Sequence, residues 1–253
     1  MGYEIRAFWG PRRETAAQCG ARFWRMLEAL AAIDPAFGGW KFAGRTRFWP
    51  MPEAPGEELT RLIADCISRD NDDEPDPAHG FWFGAGTRPG SKTSLTIQIC
   101  AGDYTPSVTK LINSAELLTK PLNEDNAALI TLPVFKPALL AIAAAWDATW
   151  CAAYPWDILP FWAEPGPGQP HFRMAWITYL SPRFAPMVTP PRSAIVERTP
   201  QSGLVMIATE DRFDVTNPAH LAVAREIEAA LAPVNALPWP PGAEPAPAGS
   251  RSG

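Results

Sequence analysis

The chain has 253 residues, a formal net charge of −5 and a sequence pI near 5.3, with 47% apolar and 19% charged residues. A mildly acidic chain lacks the basic patch that direct nucleic-acid binding needs, and its apolar content is ample for a packed core. No apolar run approaches the roughly 18 residues of a membrane span, the longest candidate being 138–146, and the first ten residues lack a basic-then-apolar leader pattern.

Residues 3–9 alternate as a strand, ended by Gly10-Pro11. Residues 14–33 carry Ala16, Cys19, Phe23, Leu27 and Leu30 at helical spacing, and Asp34-Pro35 stops that helix. Short strands are expected at 40–42 and 45–49, then a helix over 57–69 with Leu59, Leu62, Ile63, Cys66 and Ile67 as its stripe. Two paired strands follow at 80–84 and 94–100, and a further strand at 126–132. A helix is predicted over 136–148, with Pro137 in its first turn, where proline is tolerated. A strand is expected at 149–153.

The run 173–181 reads as a strand covered on both faces, because its apolar residues are nearly continuous and breakers flank it. The second half of the sheet is expected to form around it. Residues 194–198 and 204–209 form a hairpin around Gln201-Ser202-Gly203, and Asn217-Pro218 opens a last helix to 231. Strands come in runs, not in alternation with helices, so the fold class is α+β: mostly antiparallel sheet with about four helices packed on it. One domain over 1–232 is expected, with a sub-domain split near 155–170 as the alternative, and a disordered proline-rich tail from 233 to 253.

Enzyme signals fail one at a time. Gly84-Ala85-Gly86-Thr87-Arg88-Pro89 has proline where a dinucleotide loop needs its third glycine, and in Gly90-Ser91-Lys92-Thr93 a serine separates glycine from lysine. The cysteines (Cys19, Cys66, Cys100, Cys151) are too far apart for a metal site and read as buried free thiols of a reducing compartment, the cytoplasm. His79, His171 and His220 are isolated. No catalytic residue, metal or cofactor is assigned.

Residues 70–76 hold five carboxylates, Asp70, Asp72, Asp73, Glu74 and Asp76. The loop is open to three readings: a solvated turn, a surface for a basic partner, or a Ca²⁺ site lacking the usual glycine and terminal glutamate. Of the 11 tryptophans, Trp24 and Trp146 lie on helical stripes. Trp40, Trp49, Trp156 and Trp162 sit in proline-rich context, where core packing is favoured over a role as interface anchors.

Tyr3-Glu4-Ile5-Arg6-Ala7-Phe8-Trp9-Gly10, the helix from Cys19 to Leu30 leading to Ile33-Asp34-Pro35, Ala175-Trp176-Ile177-Thr178-Tyr179-Leu180-Ser181, and Asn217-Pro218-Ala219-His220 recur in this order over residues 3–232. Together they resemble the immunity protein 52 family of bacterial polymorphic-toxin systems. The resemblance implies a non-catalytic protein that binds and neutralises a cognate toxin, encoded by an adjacent gene. Typically that toxin is a restriction-endonuclease-like nuclease delivered by type VI secretion. It supplies no catalytic residues. The acidic loop residues Asp70, Asp72, Asp73, Glu74 and Asp76 are the candidate toxin contacts. The alternatives are an enzyme with a site near His79 beside that loop, and a non-catalytic adaptor. Oligomeric state is left open.

Overall fold

The computed structural model describes residues 2–87, 93–105, 113–162 and 172–237. Among the described residues ten strands form one sheet: β1 (Tyr3–Trp9), β2 (Trp40–Ala43), β3 (Phe48–Pro50), β4 (His79–Thr87), β5 (Leu95–Asp103), β6 (Asn113–Thr119), β7 (Trp150–Pro155), β8 (Ile177–Leu180), β9 (Ile195–Arg198) and β10 (Leu204–Ile207). Their order is β3-β2-β4-β5-β6-β1-β7-β8-β10-β9, and every adjacent pair is antiparallel. The helices are α1 (Ala16–Ala31), α2 (Glu57–Ala64), α3 (Leu132–Trp146), α4 (Pro218–Ala230) and the short α5 (Ala232–Asn235). The α+β expectation holds.

The first strand of the chain lies in the interior of the sheet, between β6 and β7. Its period-2 pattern divides it. Tyr3, Ile5, Ala7 and Trp9 point to a helical layer, whereas Glu4, Arg6 and Phe8 point to the other face. In that layer α3 lies against β1, β7 and β8, and α1 lies against α2 and α3. Trp9 stacks on Trp146 at 5.0 Å, and the Trp146 indole N–H points at the Met26 sulfur, 3.2 Å away. Tyr3, Phe135 and Trp176 form an aromatic group with centroids 5.8–6.1 Å apart, and the Tyr3 hydroxyl donates to the Phe213 carbonyl (2.7 Å). Burial of rings of this size dominates core energetics.

An ion cluster centred on the buried Glu14 joins α1 to α3. Glu14 binds Arg22 (2.7 Å) and Arg12 (3.1 Å), and Arg22 also binds Asp147 (2.7 Å). Both guanidinium groups donate to carbonyls at the end of α3, Arg22 to Ala145 and Arg12 to Trp146 (3.1 Å each). Cations there satisfy the last carbonyls and oppose the helix dipole.

On the opposite face the two ends of the sheet differ. Phe8 stacks on Trp150, which meets Phe172 edge-on, and the Asn235 side chain brackets the Phe172 backbone at 2.8 and 3.1 Å. This ties α5 to the β7 end. Toward β4 and β5, no described element packs on that face.

Several expectations need correction. The run 126–132 is not a strand: Asn126 closes a turn by donating to the Lys120 and Pro121 carbonyls, and α3 starts at Leu132. Pro133, not Pro137, therefore occupies the first turn, and Pro137 lies inside the helix. Helix α2 ends at Ala64 because Ile67 leaves to bridge Phe81. Strand β6 was not expected at all. The stretch 173–181 is buried as anticipated, but its regular part, β8, is third from one edge of a continuous sheet. Residues 233–237, expected to open the tail, begin with α5; the rest of the tail, the 165–170 linker, His171 and residues 88–92 lie outside the described residues.

Candidate functional site

The acidic loop connects α2 to β4 and is folded by its own carboxylates. The Asp70 side chain accepts from the N–H groups of Asp72 (2.9 Å) and Glu74 (3.0 Å), and the Asp70 N–H donates to the Glu74 carbonyl (2.9 Å). Asp73 adopts a left-handed φ of 61°, a conformation that aspartate tolerates better than most residues. Its carboxylate lies 3.7 Å from Arg45 and 3.8 Å from Arg69. Asp76 accepts from the Ala78 N–H (3.1 Å) and lies 2.6 Å from His79 Nδ1. That side-chain bond, followed by weaker backbone contributions, holds the Asp76 carboxyl below its ordinary range.

The five predicted residues therefore divide. Asp70, Asp73 and Asp76 shape the loop. Asp72 and Glu74 are exposed and have no side-chain partner among the described residues. Among those residues no group of three His, Cys, Asp or Glu side chains could hold a metal ion.

Beside the loop is a cleft of about 630 Å³, lined by Gly44, Arg45, Ser68, Arg69, Trp82 and Gln98 among others. Its origin is a change of partner along β4. Residues 66–68 bond to the start of β4 (Ser68 N–H to Gly80 carbonyl, 2.8 Å; Trp82 N–H to Cys66 carbonyl, 3.0 Å), whereas β2 pairs with Gly84 onward. The notch opens at that hand-off. The cross-strand row Trp82–Cys100–Ser114–Phe8 places Trp82 on the face opposite the helical layer, and its side chain is 64% exposed.

Sequence reasoning passed over Trp82 and weighed other tryptophans as anchors. Trp40 is buried and Trp162 donates to the Met174 carbonyl (3.1 Å), as core packing predicts. Trp49 is half-buried under the Arg47 guanidinium, 3.5 Å from its ring centroid. Trp156, expected in the core, is exposed. The only available signal for Trp82 was alternation within Phe81-Trp82-Phe83. That alternation divides the faces but does not say which one is open.

His220 Nδ1 accepts from the Asp214 N–H (3.1 Å), a local bond at the start of α4. The cysteines are free: Cys19, Cys66 and Cys151 are buried, and Cys100 is half-buried. Burial raises all four thiols, Cys19 to about 12, so none is poised as a nucleophile. Among the described residues no helix is long and apolar enough to cross a membrane.

In comparisons with known proteins, no curated protein matches the chain. A solved structure of a T6SS protein of Pseudomonas aeruginosa is similar at 13% identity and a TM-score of 0.49, over 90% of this chain and 72% of that one. The family model described as Immunity protein 52 matches residues 2–237, from the start of β1 through α5. With nearly the whole chain matched, this protein belongs to the immunity protein 52 family.

Proposed function

We propose that this chain is a cytoplasmic immunity protein that neutralises a cognate bacterial toxin by binding it, and that the toxin is a nuclease of restriction-endonuclease-like class delivered by type VI secretion. The observation that carries the reading is the family match over residues 2–237. Membership in an immunity family implies a toxin partner. The nuclease assignment draws on charge. A nuclease presents a basic face to its nucleic acid, and a chain of net charge −5 with free carboxylates at Asp72 and Glu74 is suited to meet such a face through steered association. Asp70, Asp73 and Asp76 then act as positioning residues that hold the loop in shape.

The test is co-expression. The adjacent open reading frame is expressed alone and with this chain, while growth and DNA integrity are followed. Killing with DNA degradation, rescued by this chain through a complex that co-purifies, supports the reading. Rescue without a complex, or a harmless neighbour, overturns it.

One observation favours an enzyme instead: the His79–Asp76 pair at 2.6 Å resembles a base with its orienting carboxylate. Among the described residues the hydroxyl at the pair, Ser68 Oγ, donates instead to the His79 carbonyl (2.9 Å). His79→Ala should therefore leave rescue intact, whereas loss of protection with binding preserved would favour the enzyme. An adaptor without a toxin predicts no effect of the neighbouring gene on growth.

A further inference from the structure

We propose that the toxin docks on the open face of the sheet at β4 and β5, with Trp82 as the apolar anchor and Asp72 and Glu74 as an acidic rim facing a lysine- or arginine-bearing surface. This deepens the toxin-binding reading and rests on it.

Four observations converge on this face. First, Trp82 is the most exposed large apolar side chain among the described residues (64%), with Phe48 next at 50%. Tryptophan supplies a large contact area at low entropic cost and is enriched among residues that dominate interface energy.

Second, the two rings flank a floor without side chains. Gly84 lies opposite Ala43 and Gly86 opposite Lys41, and the Phe48 ring leans over Gly86, where an added Cβ would come within 2.9 Å of it. Both glycines are buried, with Phe48 covering Gly86, so what a partner meets here is the exposed Trp82 and Phe48 rings and the 630 Å³ notch beside Trp82.

Third, the charge at the rim has a sign. The arginines at the notch, Arg45 and Arg69, both turn to Asp73, whereas Asp72 and Glu74 are left free among the described residues. Lys41 stands at the far end, opposite Gly86. The surface is dipolar, acidic at 72 and 74 and basic at 41, which orients a partner as well as attracting it.

Fourth, Gln98 and the Arg6–Glu116 pair (2.8 Å) continue the same face across β5, β6 and β1. An apolar centre thus meets a polar surround, the usual anatomy of a specific interface.

The experiment measures association and dissociation of the full chain against the purified product of the adjacent toxin gene. It compares the wild type, Trp82→Ala, Asp72→Lys/Glu74→Lys, and Val196→Ala, an exposed apolar position on β9 at the opposite edge of the sheet. Circular dichroism confirms that each variant is folded. Trp82→Ala should weaken binding about 100-fold, chiefly through faster dissociation. The double charge reversal should slow association about 10-fold at low salt and much less at high salt. Val196→Ala should bind as wild type.

Wild-type affinity in Trp82→Ala, or equal loss in Val196→Ala, overturns the docking face and leaves the toxin reading standing. Failure of the wild type to bind overturns the toxin reading and this proposal with it. Sedimentation supplies a further check. A wild-type dimer that Trp82→Ala converts to monomer would make this a surface for a second copy, and the proposal would be wrong.

Discussion

Replacing Glu14 with alanine should destabilise the fold by about 2–3 kcal/mol. Breaking a buried ion pair by removing one partner typically costs about 3–5 kcal/mol, because the surviving charge is left without compensation. Here the Glu14 side chain is only 4% exposed, but Arg12 and Arg22 are 27% and 23% exposed. Both keep their bonds to α3 carbonyls, and Arg22 keeps Asp147, so water and these acceptors recover part of the loss. Asp147, 67% exposed, belongs to the class of surface pairs worth at most about 1 kcal/mol, so Asp147→Asn, which removes the charge but keeps a side chain suited to the left-handed φ of 48° there, serves as the contrast. The assay is urea unfolding followed by circular dichroism, with a Glu14/Arg22 double-mutant cycle to isolate the coupling. For a chain of this size, a loss of 2–3 kcal/mol corresponds to a fall in Tm of roughly 4–12 °C. A loss below about 0.5 kcal/mol, equal to that of Asp147→Asn, would show that the cluster behaves as surface charge and would sink the argument.

Tyr3→Phe removes the hydroxyl bound to the Phe213 carbonyl and should cost about 1–3 kcal/mol at neutral pH. Burial raises Tyr3 from 10.0 to about 12, so its contribution is complete below pH 10 and is lost as pH rises from 10 to 12. The variant should therefore show a shallower alkaline limb in thermal melts taken across that range. Ser202 turns the β9–β10 hairpin at φ 68°, and Ser202→Gly should stabilise the fold by about 0.5–1 kcal/mol in chemical denaturation; a destabilised variant would contradict the strain argument. At Gly84 an added Cβ would come within 2.0 Å of the Ile97 carbonyl oxygen. Because the obstruction is backbone, Gly84→Ala should separate β4 from β5 and cost more than about 3 kcal/mol, seen as loss of hydrogen-exchange protection in both strands.

Elements governed by local rules were legible in the sequence. The alternation of β1, the stripe of α1, the β9–β10 hairpin and the Asn217 cap with Pro218 all reappear within a residue or two. Asn217 Oδ1 accepts from the Ala219 N–H as a cap should.

Misreadings fall where distant partners decide. Strand β6, Asn113-Ser-Ala-Glu-Leu-Leu-Thr, is rich in helix formers, and its Glu116 becomes acceptable in a sheet interior only because Arg6 lies opposite it on β1. Cys66 and Ile67 continue the helical spacing of α2, yet the Cys66 carbonyl is claimed by the Trp82 N–H. The apolar run 126–132 was too short for its period to separate strand from helix start. At the site, five carboxylates were visible as a cluster. Which of them are spent on the loop itself follows from N–H groups that no pattern in the sequence orients.

The interior position of β1 also bears on how the protein is made. Tyr3 pairs with Pro155, 152 residues later in the chain, and Trp9 pairs with Asn113. On a ribosome adding about 5–20 residues per second, the first strand waits some 8–30 s for the last of its partners. Until then β1 can pair only along its β6 edge, and the edge that β7 will cover stays open. The interior position of β1 is thus sealed only once β7 has been made, and the sheet itself closes later still, after β10 at Leu204–Ile207 has followed.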